Sequence, residues 1–238
     1  MKPLPIYVGF DRNAEPIAYH TFCDSVIRHS SIPVAFIPLD LQNLKGVGYV
    51  QEDNRDGSNS FIYARFNVPH LQDYKGYALF FDGDMIVRSD VKELLDLADP
   101  YKAVQVVKHP EYTPKFSKKY LNAKQEAYPR KCWSSVILWN AGHHQNKKLT
   151  PEVVMNSTGA FLHRFQWLED RFIGEIPKEW NLLELDQENN PDWKCCHFTN
   201  GTPCFEDWRK SPNAPAWLSA YMKAIYPMKP HSGMASEL

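Results

Sequence analysis

The chain has 238 residues, 43% of them hydrophobic and 13% aromatic, and its 27 basic and 28 acidic residues leave a formal net charge of −1. That size suits one domain with a substantial core, since domains commonly run to about 100–250 residues. A near-neutral balance argues against nucleic-acid or membrane-surface binding, and no apolar run approaches the ~18 residues of a transmembrane helix.

The opening MKPLPIYVGFDR carries an Asp–Arg pair too early for a signal peptide, so a cytoplasmic location is expected. Ile6–Phe10 is a short β-branched and aromatic run and predicts a buried strand. Asp11-Arg12-Asn13 breaks it, and Asn13 is placed to cap a helix with Pro16 in its first turn. Ala18, Phe22 and Val26, with Thr21, Ser25 and His29, share one face of that helix. Val34–Leu39 returns as a second strand, completing a β-α-β unit that favours parallel pairing.

Residues 42–59 are polar and contain three glycines, which predicts a mobile loop. Ser60–Leu71 reads as helical up to the restriction before Pro69. Tyr77–Phe81 predicts a third strand, and Ser89 the cap of a short helix that buries Val91, Leu94, Leu95 and Ala98. Ala103–Val107 and Val136–Trp139 supply two more strands, separated by a Lys- and Pro-rich excursion over 109–131. Thr150-Pro151-Glu152 opens a helix, another is expected near Pro215–Ile225, and the last ten residues are expected to fray. The whole predicts an α/β fold, with a mainly parallel central sheet flanked by helices and an irregular C-terminal part.

Five cysteines, Cys23, Cys132, Cys195, Cys196 and Cys204, form no disulfide framework and are expected as free, mostly buried thiols. Cys195-Cys196-His197 with Cys204 lacks the paired C-x-x-C spacing of a structural zinc site.

The stretch LFFDGDMIVRSD, residues 79–90, ends an apolar strand in two aspartates one residue apart. On a regular strand they would face opposite ways. Gly83 between them lets the backbone turn and bring both carboxylates to one point. Strand ends of open α/β sheets are where ligands bind, and a hard divalent cation would neutralise the pair while keeping coordination positions for a diphosphate. A plain tight turn is the competing explanation.

The strand–DGD–MIV arrangement resembles the D-x-D signature of nucleotide-sugar glycosyltransferases with the GT-A fold. IYVGFDRNAEP, IYARFNVP (62–69), CWSSVILWN (132–140), IPKEWN (176–181) and CHFTNGTP (196–203) follow in the order of segments in glycosyltransferase family 8, so the resemblance covers about residues 5–208. It implies a single glycosyltransferase domain over residues 1–238, with its core at 5–208 and a helix and tail at 209–238. Asp82, Asp84 and His197 become metal ligands, with Mn²⁺ (or Mg²⁺) the usual ion. Phe10 and Asp11 would contact the base and ribose. Arg65 and Gly83 would serve the phosphates or donor sugar, Ser134 and Ser135 would line the sugar pocket, and Gly201 completes the H-x-x-G segment. The donor implied is a nucleotide sugar, with UDP expected, and the acceptor hydroxyl belongs to a glycan, a protein or a lipid-linked sugar. Retention of anomeric configuration is the outcome the resemblance implies.

Three departures stand out. Trp133-Ser134-Ser135 replaces an Asn followed by two small residues, Thr202-Pro203-Cys204 replaces the expected lysine, and no D-Q-D segment is plain. In LHRFQWLEDRF, Gln166, Glu169 and Asp170 are all candidates for the residue beneath the anomeric carbon. Two alternatives remain open at this point. A haloacid-dehalogenase-like phosphatase also uses a strand-end D-x-D, although Met85-Ile86 is not its usual continuation. A non-catalytic nucleotide-sugar-binding protein would also keep these segments.

Overall fold

A computed structural model describes residues 2–49, 62–110, 114–118, 127–185 and 190–226. Strands β1 (Leu4–Gly9), β2 (Val34–Leu39), β3 (Tyr77–Phe81), β5 (Val104–Val106), β6 (Val136–Asn140) and β7 (Ile173–Glu175) form one sheet in the order β2-β1-β3-β6-β5-β7. A smaller sheet joins β4 (Met85–Val87), β9 (Cys195–His197) and β8 (Leu182–Leu183) in that order. In the large sheet β1 pairs in parallel with β2 and β3, and β5 with β7, while β6 runs antiparallel to β3 and β5. The expected β-α-β opening is present, with α1 (Pro16–His29) as its crossover. Pro38 fits within β2 because that strand is an edge, where a missing N–H costs no ladder bond.

Alternation along β3 separates the two main apolar layers. Leu79 and Phe81 pack with Phe22 and Val26 of α1, while Ala78 and Phe80 face the opposite layer with Phe66, Trp139 and Trp167. A third cluster packs α7 (Ala214–Ile225), through Trp217, against Ala18 of α1, Ile86 and Cys196 of the small sheet and Phe198 just after it. Cys195 and Cys196 belong to different clusters because successive strand residues face opposite ways. All five cysteines are free, and among the described residues none joins a metal-type cluster.

Several local expectations shift. The residue before α1 is Glu15, not Asn13, and Asp11 Oδ1 instead accepts from the amides of Asn13 (3.0 Å) and Ala14 (3.2 Å), ordering the loop ahead of the helix. The 42–59 segment does not begin as a loop. The Asp40 carboxylate accepts from Gln42 N and caps α2 (Leu41–Leu44), and Tyr49 is buried. Residues 50–59 lie outside the described residues. Pro69 starts a helix rather than stopping one. A 3-10 turn at Ala64–Asn67 leads into α3 (Val68–Leu71), whose first turn needs no N–H from the proline. Asp90, not Ser89, serves the start of α4 (Lys92–Asp96), accepting from Lys92 N at 2.9 Å. Thr150 caps α5 (Pro151–Asn156) as expected, and Thr158 caps α6 (Gly159–His163). Residues 111–113 and 119–126 of the 109–131 excursion, and the last ten residues, lie outside the described residues. No helix of the described residues is long and apolar enough to cross a membrane.

Candidate active site

The topology brings the segments together. β2 flanks β1 on one side and β3 on the other, so the chain direction diverges between β1 and β3, the place where open α/β sheets bind ligands. Val8 is registered with Phe81, so Gly9-Phe10-Asp11 and Asp82-Gly83-Asp84 leave the sheet side by side. A Cβ on Gly83 would lie 2.3 Å from Gly9 O, so only glycine allows these two loops to close on each other. Because β6 runs antiparallel to β3, its beginning reaches the same edge. Asp82 N donates to Ser135 O at 3.1 Å.

The small sheet delivers the imidazole. Met85 is registered with His197, and Phe198 N donates to Asp84 O at 2.9 Å. His197 Nε2 lies 3.2 Å from Asp84 Oδ1 and 3.8 Å from Asp82 Oδ2. One ligand atom from each of Asp82, Asp84 and His197 falls within 4.8 Å of the others. Asp82 and His197 are buried and Asp84 is half-buried.

Arg65 is 4% exposed, which for an arginine requires partners. Its Nη2 lies 2.8 Å from Asp82 Oδ1, Nη1 donates to Ser134 O (2.8 Å), and Nε donates to Ile62 O (3.0 Å). Its guanidinium also sits 4.7 Å from the centre of the Phe80 ring. Ser134 Oγ is 2.7 Å from His163 Nδ1, and burial, followed by the Arg65 charge, holds that imidazole well below its usual range. Ser135 is buried beside it. Gly201 has φ +140° and donates to Phe198 O at 2.9 Å, closing a turn just after His197.

A concave pocket beside the cluster is lined by Phe10, Asp11, Glu15, Tyr19, Gly83 and Asp84. Phe10 meets Tyr19 edge to face, with centroids 5.2 Å apart. The sequence reading had no place for Glu15. Its Oε2 accepts from Thr202 Oγ1 at 2.6 Å, which ties the first loop to the turn after His197. The only signal was its position, immediately before Pro16 in the segment resembling a nucleotide-binding loop.

Burial, reinforced by Asp84, pushes the Glu15 carboxyl up to about 8. The folded chain therefore holds a proton that the unfolded chain gives up near pH 4.5. This contribution is complete below that pH and is lost as pH rises toward 8. Glu15→Gln is expected to raise the melting temperature of the metal-free protein at pH 8 by a few degrees and to change it little at pH 4.5. Melting curves at the two pH values check this, and an equal shift at both contradicts it.

Gln166, Glu169 and Asp170 are exposed. Glu169 pairs with Arg171 at 3.1 Å and Asp170 with Arg130 at 2.6 Å, contacts typical of a solvated turn. Those contacts do not reach Asp82, Asp84 or His197. Sequence reading also missed His163, behind Ser134, and the pair Asn181 and His109, behind His197. Asn181 was visible only as the last letter of IPKEWN.

Two carboxylates and an imidazole form a hard to borderline donor set that suits Mn²⁺ or Mg²⁺ and keeps positions open for further oxygen ligands. Asp11, Glu15 and Asp84 line the crevice, and Asp82, which adjoins it, pairs with Arg65. An anionic ligand would meet the carboxylates of Asp11, Asp82 and Asp84 there without a cation. The residues present therefore fit a divalent ion.

The sequence profile described as "Glycosyl transferase family 8" matches residues 16–154, more than half of the chain. Protein CDI of Arabidopsis thaliana is 44% identical over 224 residues, covering 92% of this chain and 86% of that protein. Among solved structures, glycosyltransferase GlyE of Streptococcus pneumoniae TIGR4 aligns with a TM-score of 0.62 at 12% identity, over 93% of this chain and 61% of its own. This chain thus spans about three fifths of GlyE. The galactosyltransferase LgtC, in complex with donor and acceptor sugar analogues, aligns with a TM-score of 0.57 at 14% identity, over 94% of this chain and 97% of its own. At such identities the structures speak to the fold, which is GT-A, while the profile and the 44% relative speak to descent. By that profile, this chain belongs to glycosyl transferase family 8 and is a glycosyltransferase.

Proposed function

We propose that the protein transfers a hexose from a nucleotide sugar, a UDP-sugar, to an acceptor hydroxyl on a glycan, a protein or a lipid-linked sugar, with retention of anomeric configuration. The observation that carries this reading is the convergence of Asp82, Asp84 and His197 ligand atoms within 4.8 Å at the edge of the β1–β3 crevice. These three residues would hold Mn²⁺ or Mg²⁺. When bound, the ion supplies Lewis-acid neutralisation of the charge that builds on the departing diphosphate.

The chain's own groups do the rest. Phe10 and Asp11 line the pocket into which the base and ribose are placed. Gly83, pressed against Gly9 O, holds the two aspartates in one loop. Arg65 orients Asp82 while fixing the Ser134 carbonyl, so the metal side and the sugar side of the pocket are braced by one guanidinium. Ser134 and Ser135 present small side chains where the donor sugar sits, and Gly201 shapes the turn facing the phosphates. Gln166, Glu169 and Asp170 are carried as candidates for the sugar's far face. Family membership leaves the phosphatase alternative without support, and the buried pairing of Asp82 with Arg65 suits a ligand aspartate better than a free nucleophile. No observation favours a binding-only protein.

A thermal-shift screen of nucleotide sugars with Mn²⁺ and with EDTA tests the reading. One UDP-sugar is expected to raise the melting temperature by several degrees with Mn²⁺ and not with EDTA. Equal stabilisation in EDTA, or none by any nucleotide sugar, counts against it.

A further inference from the structure

Asn181 is fully buried behind His197, and its side chain meets three groups. Oδ1 is 3.1 Å from His197 Nδ1, while Nδ2 is 3.2 Å from Cys132 O and 3.0 Å from His109 Nε2. The orientation of an amide is decided by what surrounds it. The Cys132 carbonyl can only accept, so Asn181 must turn its nitrogen that way and its oxygen toward His197. An amide oxygen can only accept in its turn, so the hydrogen between the two residues belongs to His197 Nδ1. That leaves Nε2, the atom 3.2 Å from Asp84, to offer a lone pair to a cation.

His109 completes the arrangement. Burial and the neighbouring His197 bring its imidazole down to about 4, so it stays neutral and its Nε2 accepts the second amide hydrogen of Asn181. Rotating the amide would set oxygen against oxygen at Cys132 and leave buried polar groups without partners. Cys132 itself adopts φ +61°, a conformation uncommon outside glycine, directly before the Trp133–Ser135 turn. Trp133 Nε1 donates to His109 O at 2.9 Å, so the same group of residues grips the start of that turn by both backbone and side chain.

We infer that Asn181 is a positioning residue: anchored by Cys132 and His109, it fixes the ring orientation and tautomer of His197 so that Nε2 faces a cation shared with Asp82 and Asp84. This rests on the metal reading above. It deepens that reading by naming the group that prepares the imidazole and by linking the metal ligand to the sugar-side turn.

Two measurements test it. In wild-type protein loaded with Zn²⁺ as a diamagnetic probe, ¹⁵N NMR of the histidine side chains is expected to show His197 with hydrogen on Nδ1 and metal on Nε2. The opposite tautomer overturns the inference, and this readout requires no variant to fold. In calorimetric titration with Mn²⁺, Asn181→Leu is expected to bind 10–100-fold more weakly, the loss usual when a group orienting a ligand histidine is removed. Asn181→Asp, which keeps an acceptor for Nδ1 but sets an oxygen against the Cys132 carbonyl, is expected to bind Mn²⁺ more tightly than Asn181→Leu while melting no higher, a split that simple damage to packing would not produce. Mn²⁺ affinity of Asn181→Leu equal to wild type overturns the inference and leaves the metal site standing. Absence of Mn²⁺ binding in wild type and Asp84→Ala alike overturns both.

Discussion

Asp84→Ala is expected to cut Mn²⁺-dependent release of nucleoside diphosphate by about a thousand-fold, the scale on which removing a group that stabilises transition-state charge is felt. The fold is expected to survive. Asp84 is half-buried, its backbone bond from Phe198 N does not need the side chain, and its neighbour Glu15 is strained by its charge. Removing that charge relieves Glu15, so the metal-free variant is expected to melt at or slightly above the wild-type temperature. Loss of activity with gain of stability marks a residue kept for function. His197→Ala is expected to lose activity similarly but also some stability, because Asn181 Oδ1 then has no hydrogen to accept. Turnover in EDTA at the wild-type rate, or unchanged turnover in both variants, contradicts the assignment.

Arg65→Met is expected to produce the largest loss of stability, about 3–5 kcal/mol, the cost of leaving a buried charge without its partner. At about 2–4 °C per kcal/mol for a chain of this size, that is a melting shift of roughly 10 °C. Asp82 is 7% exposed and sits 2.8 Å from Arg65, so solvent cannot replace the lost guanidinium. Methionine keeps much of the stem against Phe80, which isolates the effect of charge. Saturating Mn²⁺ is expected to restore part of the loss, because a cation between Asp82 and Asp84 neutralises the same carboxylate. Melting curves of the variant with and without Mn²⁺ check this. A shift below about 1 °C without metal, or no recovery with it, shows that the Asp82 charge is not shared between guanidinium and ion.

The candidate metal site was legible in the sequence to unequal degrees. Asp82 and Asp84 stand out because an apolar five-residue strand ends in them, and the parallel β1–β2 pairing followed from the β-α-β opening. His197 lies more than a hundred residues further on and was reachable only through the order of resembling segments. What places it beside Asp84 is the register of β4 with β9, two strands of three residues each, too short to carry a periodicity. The antiparallel insertion of β6 between β3 and β5 was invisible for a similar reason, since nothing local in VILWN states its direction. Pro69 misled because a restriction on the preceding residue reads as a helix end, whereas here it falls in a first turn. Glu15, His109, His163 and Asn181 were missed as working residues because each acts through a partner far along the chain, such as Thr202 for Glu15 or His197 for Asn181. Burial of polar groups in pairs leaves no mark on either residue alone.

The whole account depends on one cation held between a sheet edge and a distant imidazole. Crystals soaked in Mn²⁺ and measured at the manganese absorption edge test that directly. The account predicts one strong anomalous peak within about 2–2.6 Å of carboxylate oxygens from Asp82 and Asp84 and of His197 Nε2. A peak that leaves His197 uncoordinated, or no peak in this crevice, contradicts it.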